Sequence, residues 1–193
     1  MILISNPTPV IDETIRVNAM FDAGLPIFHL RKPDSLPEEI DDFLTKISPK
    51  YLSQIAIHQY HFLAEKWHLK RLHFTVKQRN STNITDFENY RNQGFILSTS
   101  VHSVEEFNHL NFNFDYVFLS PVFDSISKIN YTSVVFDLSK INNFSFTKLV
   151  ALGGINISNR HEIYKMGFDD YALLGSIWQS ENPLNAVKSF ILK

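Results

Sequence analysis

The 193-residue chain contains no cysteine. Disulfides, thiolate metal ligands and thiol nucleophiles are therefore excluded. No apolar run approaches the ~20 residues that a bilayer-spanning helix requires. Neither sign of charge dominates: 18 Lys and Arg face 20 Asp and Glu, for a net −2. That balance leaves no electrostatic footprint for nucleic acid or an anionic membrane. The opening residues MILISNP lack the basic-then-apolar pattern of a secretory leader. The expectation is a cytoplasmic protein that binds neither nucleic acid nor membrane. Glycine is scarce, at 6 residues, so glycines that fall at strand ends stand out.

What the chain does have is rhythm. Apolar, strand-like runs occur at 1–4, 26–30, 54–58, 71–74, 95–98, 115–119, 148–152 and 170–174. Amphipathic stretches lie between them. Ile11, Ile15, Met20 and Phe21 outline one helical face; Ile40, Phe43, Leu44 and Ile47 outline another, with Pro37 and Glu38 suited to its first turn. Further helices are expected at 60–68, 82–92, 103–110, 157–166 and 183–191, the last with Leu184, Val187 and Ile191 inward. Residues 129–146 give the weakest helical signal. Strand starts about 17 to 33 residues apart match strand–helix units with short loops. Eight such units predict a small, single-domain (β/α)8 TIM barrel over 1–193, with an open doubly wound sheet as the competing architecture.

In such a barrel the chemistry sits at the C-terminal ends of the strands. The polar residues there are His29, Arg31 and Lys32 after strand 2, His58 and Gln59 after strand 3, and His73 and Thr75 at strand 4. Ser100 closes strand 5, and Ser120 and then Lys128 follow strand 6. Two turns of low bulk, Gly153–Gly154 and Gly175–Ser176, follow strands 7 and 8. Glycine lets backbone N–H groups approach a phosphate, and these two loops commonly hold one in this fold. They are expected to share one anion-binding mouth.

Plainer roles compete for several of these residues. A glycine pair after a strand is often only a turn. His29, His58 and His73 lie on adjacent strands and could hold a metal, but with no acid beside them rim hydrogen bonding is the preferred reading, and no metal ligand is assigned. Ser103, followed by Glu105 and Glu106, reads as a helix N-cap. Lys77 and Arg79 read as solvated loop charges, and Trp67 and Trp178 as packing residues.

Five segments in order give the chain a resemblance to the thiamine phosphate synthase and TenI-like family. They are His29-Leu30-Arg31, Leu72-His73-Phe74, Ser100 to Ser103, Asp115 to Lys128, and Ala151 to Ile155. The resemblance implies a transferase of thiamine biosynthesis that joins a pyrimidine methyl diphosphate to a thiazole phosphate and releases diphosphate. It assigns Arg31 and Lys128 to catalysis at the diphosphate. It places His73 and Ser100 near the pyrimidine and the backbone at Gly154 and Gly175 on the thiazole phosphate, and His29, Lys32, Ser120, Gly153 and Ser176 at the same mouth are counted as substrate-binding with them. The implied partners are those two small phosphorylated substrates, with a homo-oligomer left open.

The sequence departs from the family pattern at the metal. The synthase acids after strands 3 and 4 are replaced here by His58-Gln59 and by the acid-free Thr75–Gln78. Magnesium prefers carboxylate oxygens beside substrate phosphates. Any Mg2+ is therefore expected to arrive on the substrate diphosphate, and no organic cofactor is implied. Lys32 stands one position early. Pro121 occupies the place of the histidine that TenI-like tautomerases use. A thiazole tautomerase and a non-catalytic phosphate-ligand binder are the alternative readings.

Overall fold

The structure is a computed structural model and describes residues 1–112, 114–124, 136–141 and 147–191. Lys128 lies outside the described residues, as does most of 129–146. Eight strands follow one another in chain order in a closed barrel. They are β1 (Ile2–Ile4), β2 (Ile27–Leu30), β3 (Ile55–Ile57), β4 (Arg71–Phe74), β5 (Ile96–Val101), β6 (Tyr116–Leu119), β7 (Lys148–Leu152) and β8 (Asp170–Leu173). The architecture is the expected TIM barrel. Parallel strands buried on both faces read as near-continuous apolar runs, which is why each was visible in the sequence.

The chain falls into two compact units, Met1–His73 with Leu174–Lys193, and Phe74–Leu173. In the first, β1 to β3 pair in parallel, with Leu3 level with Phe28 and Phe28 level with Ile55. Helices α1 (Glu13–Asp22), α2 (Pro37–Thr45) and α3 (Leu63–Lys66) alternate with these strands. Phe28 points outward, its ring 6.3 Å from Phe21 of α1 and 6.2 Å from Phe43 of α2. Pro37 starts α2, and the Glu39 carboxylate accepts from the Leu36 N–H at 2.7 Å, which satisfies an otherwise orphaned donor. The buried face of α1 is Glu13, Val17, Met20 and Phe21, not the expected stripe. Ile11 and Ile15 are 82% and 67% exposed, displaced because Glu13 turns inward to meet Lys32.

In the second unit β5 to β8 pair in parallel. The acid-free stretch after β4 is not a loop. It forms α4 (Val76–Ser81), started by a capping box in which Thr75 accepts from the Gln78 N–H and the Gln78 side chain answers at the Thr75 N–H. Arg79 is therefore no solvated charge. It is 8% exposed, donates to Thr99 Oγ1 at 2.9 Å and to the Ser100 carbonyl at 2.6 Å, and pairs with Glu106. Next come α5 (Ile84–Asn92), capped by Asn83, and α6 (Val104–Asn108), capped by Ser103 as its sequence position suggested. α7 (Arg160–Lys165) lies between β7 and β8, the last strand of this unit. Back in the first unit, α8 (Gly175–Trp178) and α9 (Pro183–Ile191) end the described chain. Pro183, Val187 and Phe190 of α9 are buried, in place of the expected Leu184 and Ile191. Among the described residues no helix is long and apolar enough to cross a membrane.

Candidate functional site

Strand period puts His29 and Arg31 on the side of β2 opposite Phe28. The β2–β3–β4 register sets His29 level with Ala56 and Ala56 level with Arg71. Two residues further, on the same face, the register carries Arg31, His58 and His73 to a common level. His29, His58 and His73 are 0%, 3% and 2% exposed. The His58 and His73 rings stack at 4.0 Å. The His29 ring meets His58 edge-on at 5.1 Å and His73 at 5.5 Å. His29 Nδ1 and His58 Nε2 share a hydrogen bond of 2.9 Å.

Burial holds both His29 and His58 well below the ordinary imidazole pKa, with the other histidines adding to the effect. The Arg71 charge presses further on His29, and the Arg31 charge on His58. These two imidazoles are neutral at pH 7. His61 Nε2 donates to the His73 carbonyl at 3.0 Å. Its pKa is lowered by burial as well.

Arg31 is half-buried, and Ser5 fixes its backbone: Ser5 Oγ donates to the Arg31 carbonyl and accepts from the Arg31 N–H, each at 2.8 Å. Lys32, expected to bind substrate, has other partners. Its ammonium donates to Glu13 at 2.6 Å and to the carbonyls of Asn6 and Thr8 at 2.7 and 3.0 Å. Those three bonds use every donor it has. Burial raises the Glu13 pKa, and the bond to Lys32 works against that rise. Gln59 is also engaged: its amide accepts from the Lys32 N–H at 3.1 Å and donates to the Lys32 carbonyl at 2.8 Å.

A cleft of about 900 Å3 runs along α1 and α2. Asp12, Glu13, Glu38, Glu39 and Asp42 line it against Lys32 and Lys46, so its charge is net acidic and disfavours polyphosphate. At the start of α8, Ser176 Oγ is buried without a hydrogen-bond partner among the described residues. A Cβ at Gly175 would meet only the Gln179 side chain at 3.7 Å, so no steric demand fixes that glycine.

In the second unit the glycine pair has a packing reason. Gly153 and Gly154 adopt φ +105° and +65°. A Cβ on Gly154 would lie 2.5 Å from the Asp124 carbonyl oxygen, and one on Gly153 would lie 3.0 Å from Pro121. The segment after β6 lies against this turn, with Val122 and Phe123 N–H groups donating to the Leu152 and Gly153 carbonyls at 3.0 and 3.2 Å. Ser120 Oγ lies 3.3 Å from His102 Nδ1, and the Ser120–Pro121 bond is cis. Ser100 is partly buried on β5, its carbonyl taken by Arg79.

Sequence reasoning missed the supporting residues. Ser5 is an inconspicuous residue after β1. Glu13 carried one signal, an acid at an inward helical position, and a buried acid calls for a cationic partner.

A closed parallel barrel carrying cationic and imidazole side chains at its strand ends defines a (β/α)8 protein of the enzyme type. The family model described as thiamine monophosphate synthase matches residues 1–177, and the chain belongs to that family. A thiamine-phosphate synthase from Enterobacter sp. is 24% identical over 180 residues, covering 89% of this chain and 83% of that protein. One from Staphylococcus saprophyticus is 26% identical over 106 residues, covering 51% of this chain and 49% of its own length. For several curated relatives the match thus spans half their length or less. Among solved structures, a thiamine phosphate pyrophosphorylase from Bacteroides thetaiotaomicron is 30% identical with TM-score 0.78, over 99% of this chain and 95% of that one. One from Pyrococcus furiosus, 18% identical over 98% and 92% with TM-score 0.75, shares the fold.

Proposed function

We propose that this chain is a thiamine-phosphate-synthase-like transferase. It joins a pyrimidine methyl diphosphate to a thiazole phosphate. The bond between the pyrimidine methylene carbon and the diphosphate oxygen breaks, that oxygen keeps the electron pair, and the thiazole nitrogen bonds to the carbon. The observation that carries the reading is family membership across 1–177 with Arg31 held by its backbone at the end of β2.

Arg31 takes up charge on the leaving diphosphate, where positioned cations contribute most. Lys128 joins it on the strength of the family pattern. Lys32 does not: its role is to hold Glu13 and the turn at Asn6–Thr8. Ser176, whose buried hydroxyl has no hydrogen-bond partner among the described residues, suits a phosphate oxygen. For Gly153 and Gly154 packing accounts for the glycines, so any phosphate contact there comes from backbone N–H groups. Ser100 and Ser120 contribute hydroxyls to substrate. His29 and His73 lie buried, which suits a supporting role under Arg31.

The family's magnesium does not fit the described residues. His58, Gln59, Thr75 and Gln78 offer no carboxylate, and the Gln59 and Gln78 amides are already engaged. No step is therefore routed through Mg2+. The tautomerase reading is weaker because Pro121 stands where that activity needs a histidine.

The test is formation of thiamine phosphate from the two substrates, with and without Mg2+. Product formation supports the proposal. Absence of product under both conditions, with one phosphorylated substrate still bound in calorimetry, replaces it with the binder or isomerase reading.

A further inference from the structure

Three histidines gathered inside one face of β2, β3 and β4 are an unusual load for a core. Each is almost fully buried. Their candidate donor nitrogens all lie within 4.8 Å of one another. The level that His29 shares with Ala56 and Arg71 carries the small Ala56 side chain between the two larger ones. That leaves His29 room to lean toward His58, and the two rings are joined at 2.9 Å.

Metal geometry asks for little more. Nitrogen ligands bind zinc at about 2.0–2.1 Å, so a tetrahedral set needs its nitrogens ~3.3 Å apart. One pair is already closer than that, and the wider ones, at most 4.8 Å apart, must close by up to about 1.5 Å. Imidazole suits the first-row transition ions and not magnesium, which needs oxygen.

We propose that His29, His58 and His73 bind one divalent transition ion of the Zn2+ type through three imidazole nitrogens, with the fourth position open. Binding replaces the His29–His58 hydrogen bond. Arg31 and Arg71 both press their charge on this cluster. An added dication is therefore balanced by an anion in the fourth position, a hydroxide or a phosphate oxygen. Three protein ligands and one exchangeable position are the pattern of catalytic rather than structural zinc. The proposal stands apart from the synthase reading, since it needs neither substrate.

The whole chain is stripped with chelator, exchanged into metal-free buffer and titrated with Co2+ or Zn2+ alone. One ion per chain is expected, with ligand-field absorption of low-coordinate cobalt and no displacement by millimolar Mg2+. His58→Gln and His73→Gln should each weaken binding at least 100-fold. Replacement of the exposed His161 by Gln should leave it unchanged. X-ray absorption on the cobalt-loaded wild type keeps the test independent of whether the variants fold: three imidazole ligands are expected. No stoichiometric uptake, binding that survives His58→Gln, or fewer than three imidazoles overturns the proposal. Synthase activity of the stripped protein decides nothing here, so failure of the one idea is distinguishable from failure of the other.

Discussion

At the scale of single residues, the decisive case is Lys32. Its sequence position beside Arg31 at a strand end suggested a ligand-facing cation. The ammonium instead closes a buried pair with Glu13, with side chains 5% and 6% exposed. Breaking such a pair leaves an uncompensated buried charge and costs about 3–5 kcal/mol, whereas replacing both partners can be nearly neutral. Lys32→Met and Glu13→Gln should each lower urea stability by roughly that amount. The double variant should recover a large part of the loss. Additive losses in the double variant would show that the two side chains do not depend on each other. Arg31→Ala should behave in the opposite way. In the proposed role Arg31 bonds the diphosphate, and charged hydrogen bonds are worth about 1.5–3 kcal/mol each, so affinity should fall roughly tenfold to hundredfold while stability changes little. Unchanged affinity in a calorimetric titration would remove Arg31 from the site. Nothing local in the sequence separates these adjacent cations. Only the inward turn of Glu13, a tertiary fact, tells them apart.

Among the elements, the strands were legible and several connections were not. Most strands announced themselves as short apolar runs because both their faces are covered, whereas β5 continues through Ser98-Thr99-Ser100 to Val101, past its expected end at 98. Helix α4 was hidden: it is six residues long, and its polar sequence gives no apolar stripe, so only the Thr75–Gln78 capping box marks it. Helix α1 was seen but rotated, since a buried acid interrupts the hydrophobic pattern that periodicity relies on. The glycine turn after β7 was visible as a turn, yet its cause was not. Contact with the segment after β6 excludes any side chain at Gly154. Gly154→Ala should therefore be destabilising by about 2–5 kcal/mol, the left-handed backbone and the clash with the Asp124 carbonyl adding together. Gly175→Ala should cost far less, since its Cβ meets only a flexible glutamine side chain. Equal costs, measured by thermal or urea unfolding, would contradict the packing account of the first turn.

For the molecule as a whole, the barrel could be read from eight recurring apolar runs, whereas the histidines could be placed on adjacent strands but not brought into ring contact. Register between strands that are separate in sequence brings their rings together, and one chain read alone carries no such register. The cluster should set how the whole fold responds to acid. His29 and His58 have folded-state pKa values pushed well below the ordinary value of about 6.5. The unfolded chain then binds more protons than the folded one as pH falls below about 6.5, and stability drops with pH. The contribution is fully present above that value and is lost on the way down toward the folded pKa values. The limiting slope is about 1.4 kcal/mol per pH unit for each histidine that charges on unfolding. Glu13 acts in the reverse sense, because burial raises its carboxyl pKa, so its share of the fold's stability grows as the solution becomes acidic. Urea unfolding of chelator-treated protein between pH 7.5 and 5.5 keeps the histidines dominant. Stability should change little down to about pH 6.5 and fall increasingly below it, and a His29→Phe variant that folds should show a shallower fall. A flat profile in the wild-type protein would mean that the imidazoles are charged or hydrated in the folded state, and the buried neutral cluster would have to be abandoned.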